Sequence, residues 1–391
     1  MSIDQKIGKL PRPSYFYFFK TNLLQVQNTI SHIQQQQAWT ADNIEKLLAS
    51  RGKEQEDLLD EAGKCLLERR GPEVYYRGLV EFSNICTKDC YYCGIRKSNR
   101  HTERYDLPDD AILDAARFAH EHKYGSLVLQ SGERSDSAFV TRIDQLLKKI
   151  RHATGGKLGI TLSCGEQSFE TFQKWFESGA HRYLLRIETS DEKLYKQLHP
   201  NDEKHDFHQR LENLASLQKA GYQTGTGVMI GLPGQTLKHL ANDLLFMKNL
   251  DIDMVGMGPY IEHEDTPLYG QKDQLWPLRE RFLTSLNMVA VLRLMMPDIN
   301  MAATTAMQAI DPMGREKALQ AGANVIMPNI TPSNHRRDYL LYQNKPCTEE
   351  GADDCSHCLA LRLEMIGRKP GYNKWGDSLH FFNRTRKRID H

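Results

Sequence analysis

The sequence predicts an α/β fold, a closed (β/α)8 TIM barrel, and three observations predict it. Beyond Pro72, short apolar runs alternate with longer amphipathic ones, the rhythm of strand–helix units. The units number eight over roughly 260 residues, the usual span of a closed barrel. Gly125, Gly179, Gly221 and Gly322 stand between a helical stretch and the strand after it, where a left-handed stop is expected. A partial barrel of six units is the structural rival, because the last two strands are short.

Residues 1–37 read as an extension: Pro11, Pro13 and a glutamine run at 34–37 break it up, and the aromatic patch Tyr15–Phe19 is cut by Lys20. A leader that docks by its aromatics is the expectation, with a transit peptide as the alternative. Residues 38–71 read as helical, with Ile44, Leu47, Leu48, Leu58, Leu59, Cys65 and Leu66 at helical spacing and Thr40 or Asp42 as the cap. The barrel occupies 72–330. Its expected strands are Leu79–Ser83, Ser126–Leu129, Leu158–Ser163, Arg182–Ile187, Gln223–Ile230, Met254–Gly258, Asn300–Ala303 and Asn324–Met327. Helices are expected at Asp109–His122, Ser137–Ile150, Ser168–Ser178, Phe207–Ala220, Thr236–Asn249, Leu278–Met296 and Met313–Gln320. Residues 331–391 form a looser cysteine-bearing tail whose basic end, Arg384 to Arg388, is expected to be solvated.

Composition narrows the function. The 391 residues carry 51 Lys and Arg against 50 Asp and Glu, a net charge of +1. That balance supplies no global field for a polyanion, so no nucleic-acid partner is expected. No apolar run reaches membrane-spanning length, so no membrane association is expected. Of the eight cysteines, six fall in two short clusters. Thiols grouped at metal-ligand spacing without an export signal point to a reducing, cytoplasmic setting.

Cys86, Cys90 and Cys93 give Cys-x3-Cys-x2-Cys directly after the first strand. Thiolates are soft ligands suited to iron–sulfur clusters or zinc, and a closed structural zinc site takes four ligands. Three thiolates on a 4Fe–4S cluster leave one iron open for S-adenosylmethionine (SAM), whose reductive cleavage gives a 5′-deoxyadenosyl radical. Gly94 is expected to allow close chain approach, and Tyr92 to shield one cluster face. The alternative is zinc completed by a remote ligand such as His101. The spacing is the mark of the radical SAM superfamily.

Other strand ends offer support. Leu129–Glu133 places Gln130 and Ser131 where backbone carbonyls would accept the SAM ammonium, with Glu133 supplying charge; a plain polar turn is the alternative. Arg186 and Glu188 share one strand face. If that face is interior they must be paired or bind ligand: Glu188 the ribose, Arg186 an anionic substrate, or simply each other. Gly225–Thr236 is rich in small residues, and Met229 is expected against an adenine plane, with Met254 closing the same pocket or serving as plain core. Thr161, Thr304 and Thr305 are expected to line a polar cavity or to satisfy local backbone. In the tail, Cys347, Cys355 and Cys358 offer a second metal site, an iron–sulfur cluster or zinc, while Cys65 and Cys164 read as structural.

From Trp39 to Gly376 the chain resembles the iron–iron hydrogenase maturases of the HydE type. The resemblance rests on Glu81–Cys86, Leu129–Glu133, Tyr183–Arg186, Met229–Thr236, Asp253–Gly256, Ala303–Met307 and Asn324–Asn329. Ile187 departs from the histidine usual before the strand-four glutamate. The resemblance implies a monomeric barrel holding a 4Fe–4S cluster and SAM at its top, with an accessory 2Fe–2S or 4Fe–4S cluster in the tail. It implies SAM contacts from Gln130, Ser131, Glu188, Arg210, Met229, Met254 and Tyr339, and a substrate cavity lined by Thr161, Arg186, Thr304, Thr305 and Tyr342. It implies assembly of the hydrogenase H-cluster from a small iron–cysteine carbonyl cyanide complex, with a low-potential electron donor and a link to the tyrosine-lyase maturase HydG and the scaffold GTPase HydF. The rivals are biotin synthase, whose sacrificial-cluster ligands are not found on the strands, methylornithine synthase, and a non-catalytic zinc or electron-transfer protein.

Overall fold

A computed structural model describes residue 30, residues 39–348 and residues 352–389, with side chains from 358 to 386 in the last stretch. Eight parallel strands follow one another in hydrogen-bonded order: β1 (Glu73–Ser83), β2 (Ser126–Ser131), β3 (Gly159–Ser163), β4 (Ala180–Leu184), β5 (Gln223–Thr226), β6 (Met254–Val255), β7 (Asn300–Met301) and β8 (Val325–Ile326). β8 pairs with β1 through Tyr75–Val325. β7 reaches β8 through a parallel bridge between Ala302 and Val325, with Asn324 N donating to Met301 O at 3.0 Å and Ala303 N to Val325 O at 2.9 Å. The ring therefore closes, and the six-unit alternative falls.

Helices α1 (Ala41–Leu48) and α2 (Lys53–Arg70) precede the barrel. Thr40, not Asp42, caps α1, accepting from Asn43 N at 3.3 Å; Asp42 pairs with Lys238. Around the ring run α3 (Asp109–Glu121), α4 (Ser137–Ala153), α5 (Phe169–Glu177), α6 (Glu192–Leu198), α7 (Phe207–Lys219), α8 (Leu237–Asn249), α9 (Leu278–Met295), α10 (Thr305–Ile310) and α11 (Gly314–Gln320). α1 packs on α8 and α9, and α2 on α9, so their apolar stripe joins the main core. Among the described residues no helix is long and apolar enough to cross a membrane.

The register sets the height of each inward side chain. Glu81 pairs with Gln130, Gln130 with Ser163, Leu184 with Gly225, Gly225 with Met254 and Met254 with Asn300. Continued round the ring, this path returns to the start of β1, because a closed barrel shears by about eight residues. Residues paired on late strands thus sit lower than their partners on β1. Arg77, Thr161, Arg182 and Met254 form a deep layer. Gln130, Ser163, Leu184, Thr304 and Met327 form a middle layer, and Arg186, Glu188 and Met229 an upper one.

Beyond the barrel lie the short helix Ser333–Arg336, α12 (Ala352–Met365) and α13 (Leu379–Ile389). The chain between the last two is no loose tail. Lys369–Pro370 pairs with β1, and Trp375 O and Asp377 accept from Arg182 at 2.9 and 2.6 Å. The expectation of a solvated basic end is overturned at Arg384, which is buried and donates to fully buried Asp253 at 2.6 Å. Gly179, Gly221 and Gly322 do take positive φ. Gly125 does not; Lys123 turns the chain instead with φ 61°, and a side chain at Gly125 would strike the Lys374 backbone.

Candidate active site

Cys86, Cys90 and Cys93 are free, half-buried thiols on the loop that follows β1, at the end of the barrel where active sites of this architecture lie. Burial pushes the Cys86 thiol up and that of Cys93 to about 12, with Cys86 adding to it. Burial also raises Cys90 well above the ordinary range, reinforced by Cys93 and Cys86. Three buried thiols that repel one another as thiolates need a cation to become ligands. Among the described residues no three His, Cys, Asp or Glu side chains gather round one point. Thiolates on separate irons of a cluster stand farther apart than ligands of one ion at about 2.3 Å. Three soft thiolates on one loop fit an iron–sulfur cluster. His101, the remote zinc ligand considered, lies exposed and pairs with Asp265 at 2.7 Å. Gly94 does permit a close approach: a side chain there would strike Leu340 O.

Facing the cysteines, Glu188 lies four residues beyond β4 in the left-handed region, φ 68°, buried, its carboxyl raised by burial and opposed by Arg186. Arg186 Nη2 lies 2.9 Å from Glu188 Oε2 and donates to Val228 O at 3.0 Å. Glu188 Oε2 is thus engaged by an ion pair, while the buried Arg186 Nε has no hydrogen-bond partner. Below them Gln130, Ser163, Leu184, Thr304 and Met327 face inward yet are half-exposed, so the barrel encloses an accessible space. Gln130 Nε2 donates to Tyr339 Oη at 3.3 Å, and Thr305 and Tyr342 share a hydrogen bond of 2.8 Å. Lys345 pairs with buried Glu81 at 2.6 Å, which fixes the segment carrying both tyrosines over the mouth. Met229 packs with Tyr91 and Tyr92 on a small apolar cluster of Leu194, Leu198, Leu232, Tyr260 and Leu268. Thr304 Oγ1 donates to Met257 O at 3.4 Å.

Other expected site residues are placed elsewhere or engaged. Thr161 lies in the deep layer, accepting from Arg182 Nε at 3.0 Å. Met254 lies there too, its sulfur accepting from Arg77 Nη1 at 3.1 Å. Arg210 is buried and held by Glu166 at 2.7 Å and Glu133 at 3.4 Å. Ser131 is buried, its hydroxyl donating to Gly132 O at 2.7 Å. In the tail, Cys347 has φ 64° and Cys358 is exposed; the side chain of Cys355 lies outside the described residues. Sequence reading missed Arg77, Arg182 and Asp377, although Arg182 continues the period-two face of Leu184 and Arg186. It also missed Lys88 and Glu166, which carry no motif.

Comparison with known proteins agrees with this geometry. Residues 80–247 match the radical SAM superfamily model. The chain is 45% identical over 315 residues to the [FeFe] hydrogenase maturase subunit HydE of Thermotoga maritima, covering 80% of this chain and 86% of that protein. It is 27% identical to the 3-methylornithine synthase of Methanosarcina acetivorans over 84% of this chain and 89% of that one. Among solved structures, methylornithine synthase superposes with a TM-score of 0.74 at 25% identity, covering 89% of this chain and 97% of that one. A HydG maturase superposes at 0.76 and 18% identity over 94% and 83%, a likeness of fold. At that identity and coverage, the chain belongs to the HydE family of [FeFe] hydrogenase maturases, enzymes of the radical SAM superfamily.

Proposed function

We propose that this enzyme cleaves SAM reductively and acts on a small iron–cysteine carbonyl cyanide precursor of the hydrogenase H-cluster. The observation that carries the reading is the triple of free thiols at the barrel mouth in a chain 45% identical to a HydE maturase. Cys86, Cys90 and Cys93 would hold the 4Fe–4S cluster. When bound, the cluster and SAM together supply one-electron cleavage of the sulfonium to a 5′-deoxyadenosyl radical. Glu188 orients the ribose, its carboxylate accepting hydroxyl hydrogen bonds. Met229 and the apolar cluster beside it take the adenine face. The carbonyls at Gln130 and Ser131 accept the ammonium, and Tyr339 closes over them. Thr304, Thr305 and Tyr342 then line the substrate space with Arg186 at its upper edge, where an anionic complex meets a cation and hydroxyls. Thr161 and Met254 belong to the floor of that space. Arg210 acts on SAM only through the carboxylates that hold it. The partners this reading brings are a low-potential electron donor, HydG and HydF, and the tail carries an accessory cluster.

The test is anaerobic reconstitution with iron and sulfide, then dithionite and SAM. Wild type is expected to yield 5′-deoxyadenosine and Cys90→Ala none. A cluster-loaded wild type that forms no product overturns the reading.

A further inference from the structure

We propose that Lys88 is a positioning residue for the cysteine loop: its buried ammonium ties that loop to the barrel and sets the charge beside the cluster. The second half rests on the cluster reading above; the first does not.

Lys88 stands between Cys86 and Cys90, on a loop where a lysine would normally reach for water. Instead it is 6% exposed. Its Nζ lies 3.0 Å from Glu133 Oε1 and 2.8 Å from Glu166 Oε2 and donates to Lys204 O. Arg210 closes the set, 3.4 Å from Glu133 Oε2 and 2.7 Å from Glu166 Oε1. Two cations thus meet two carboxylates, and the network is neutral.

The origins of the four groups give the network its meaning. Glu133 follows β2, Glu166 follows β3, and Arg210 comes from α7. Only Lys88 belongs to the cysteine loop, so it is the ionic tie between the ligand loop and the strand ends. The same junction reaches the first cysteine through backbone: Glu133 N donates to Cys86 Sγ at 3.3 Å, and Thr87 N donates to Glu133 O at 2.9 Å. Hydrogen bonds to cluster sulfurs and nearby charge both set reduction potential. Removing one partner of a buried pair is strongly destabilising because the other charges stay behind. Without Lys88 the network holds two carboxylates against one guanidinium. The site then carries an extra negative charge, and adding an electron to the cluster becomes harder.

The test compares wild type, Lys88→Met and Lys88→Arg as full chains. In the metal-free proteins, amide hydrogen exchange of residues 84–100 is expected to quicken at least about tenfold in Lys88→Met, with β3 and α9 unchanged. In the reconstituted proteins, the cluster midpoint potential, followed by electron paramagnetic resonance, is expected to fall in Lys88→Met. Lys88→Arg restores the charge and is expected to keep the wild-type potential while exchanging at an intermediate rate. Equal exchange and equal potential in wild type and Lys88→Met overturn the proposal. Should Lys88→Met unfold throughout, Lys88→Arg decides: wild-type exchange in the loop then counts against the fit of this ammonium. A wild type that takes up no cluster refutes the cluster reading alone, since the exchange arm reads the metal-free chain.

Discussion

Glu188 departs from local backbone preference. A non-glycine residue at φ 68° costs about 1–2 kcal/mol, and burial adds the expense of desolvating a carboxylate. Such strain persists only where surrounding structure over-determines it. Here Glu188 N donates to Gly227 O at 3.0 Å and Met229 N to Glu188 O at 3.1 Å, while buried Asp243 accepts from Ser190 N and Oγ at 2.6 Å each. If the strain serves a ligand, Glu188→Gly should melt at the same or a higher temperature and bind SAM at least about tenfold more weakly, since a hydrogen bond to a charged group is worth about 1.5–3 kcal/mol. Calorimetric binding to the anaerobic reconstituted enzyme, with a thermal melt, checks both. A lower melting temperature with intact binding would make Glu188 structural. The period-two pattern was enough to put Arg186 and Glu188 on one face. It could not assign heights, which is why Thr161 and Met254 were grouped with residues of the upper layers. Height in a barrel comes from shear, a property of the closed ring and not of any one strand.

The main barrel helices were legible from their amphipathic period, and the expected and observed α4, α5, α7 and α8 differ only at their ends. By contrast, α6 and α10 were not expected, and the expected strand Gln223–Ile230 stops at Thr226, with Met229–Ile230 pairing Gly258–Pro259 in a separate two-stranded sheet. The C-terminal segment was not legible, since its hold is polar and long-range. Trp375 O, Asp377 and Gly376 O meet the deep arginines Arg182 and Arg77, and nothing local in the sequence announces that. This segment explains Gly125, which lies where the Lys374 backbone crosses. Gly125→Ala is therefore expected to cost about 1–3 kcal/mol, as overpacking against backbone does, read as a lower denaturant midpoint. The same base carries a pH dependence. His181 Nδ1 accepts from Ile160 N at 3.4 Å, and its other nitrogen faces Asp377 at 3.4 Å. Burial, then Arg182, pulls its pKa from 6.5 down to about 4. Between those values the unfolded chain binds the proton and the folded chain does not, so stability falls as pH drops, by up to about 1.4 kcal/mol per unit. His181→Gln should flatten that part of the denaturation profile. An unchanged slope would show that His181 is already charged in the folded state.

Across the whole molecule, the chain leaves the barrel mouth through a segment that serves two regions in turn. Tyr339 and Tyr342 lie over the cavity, Lys345 is clamped on Glu81 with a second bond to Tyr339 O at 2.8 Å, and Cys347 follows at once. Farther on, α12 carries Cys358 and is fastened to α11 by Arg362, which grips Glu316 at 2.7 and 2.8 Å. The tyrosine segment is thus anchored by Lys345 on Glu81, and α12 by Arg362 on Glu316. If a metal cluster forms on Cys347, Cys355 and Cys358, its loss should not loosen the tyrosines, because Lys345 holds them from inside the barrel. Perturbations at sites with separate anchors add instead of coupling. Cys355→Ala is accordingly expected to lower the iron bound per chain while leaving the rate of SAM cleavage within about twofold of wild type. Lys345→Met is expected to do the reverse: removing one partner of a buried pair frees the tyrosine segment, so SAM affinity falls while tail iron remains. Iron analysis, 5′-deoxyadenosine formation and SAM binding on the two variants settle it. Complete loss of cleavage in Cys355→Ala would mean that the tail site and the barrel mouth work as one unit.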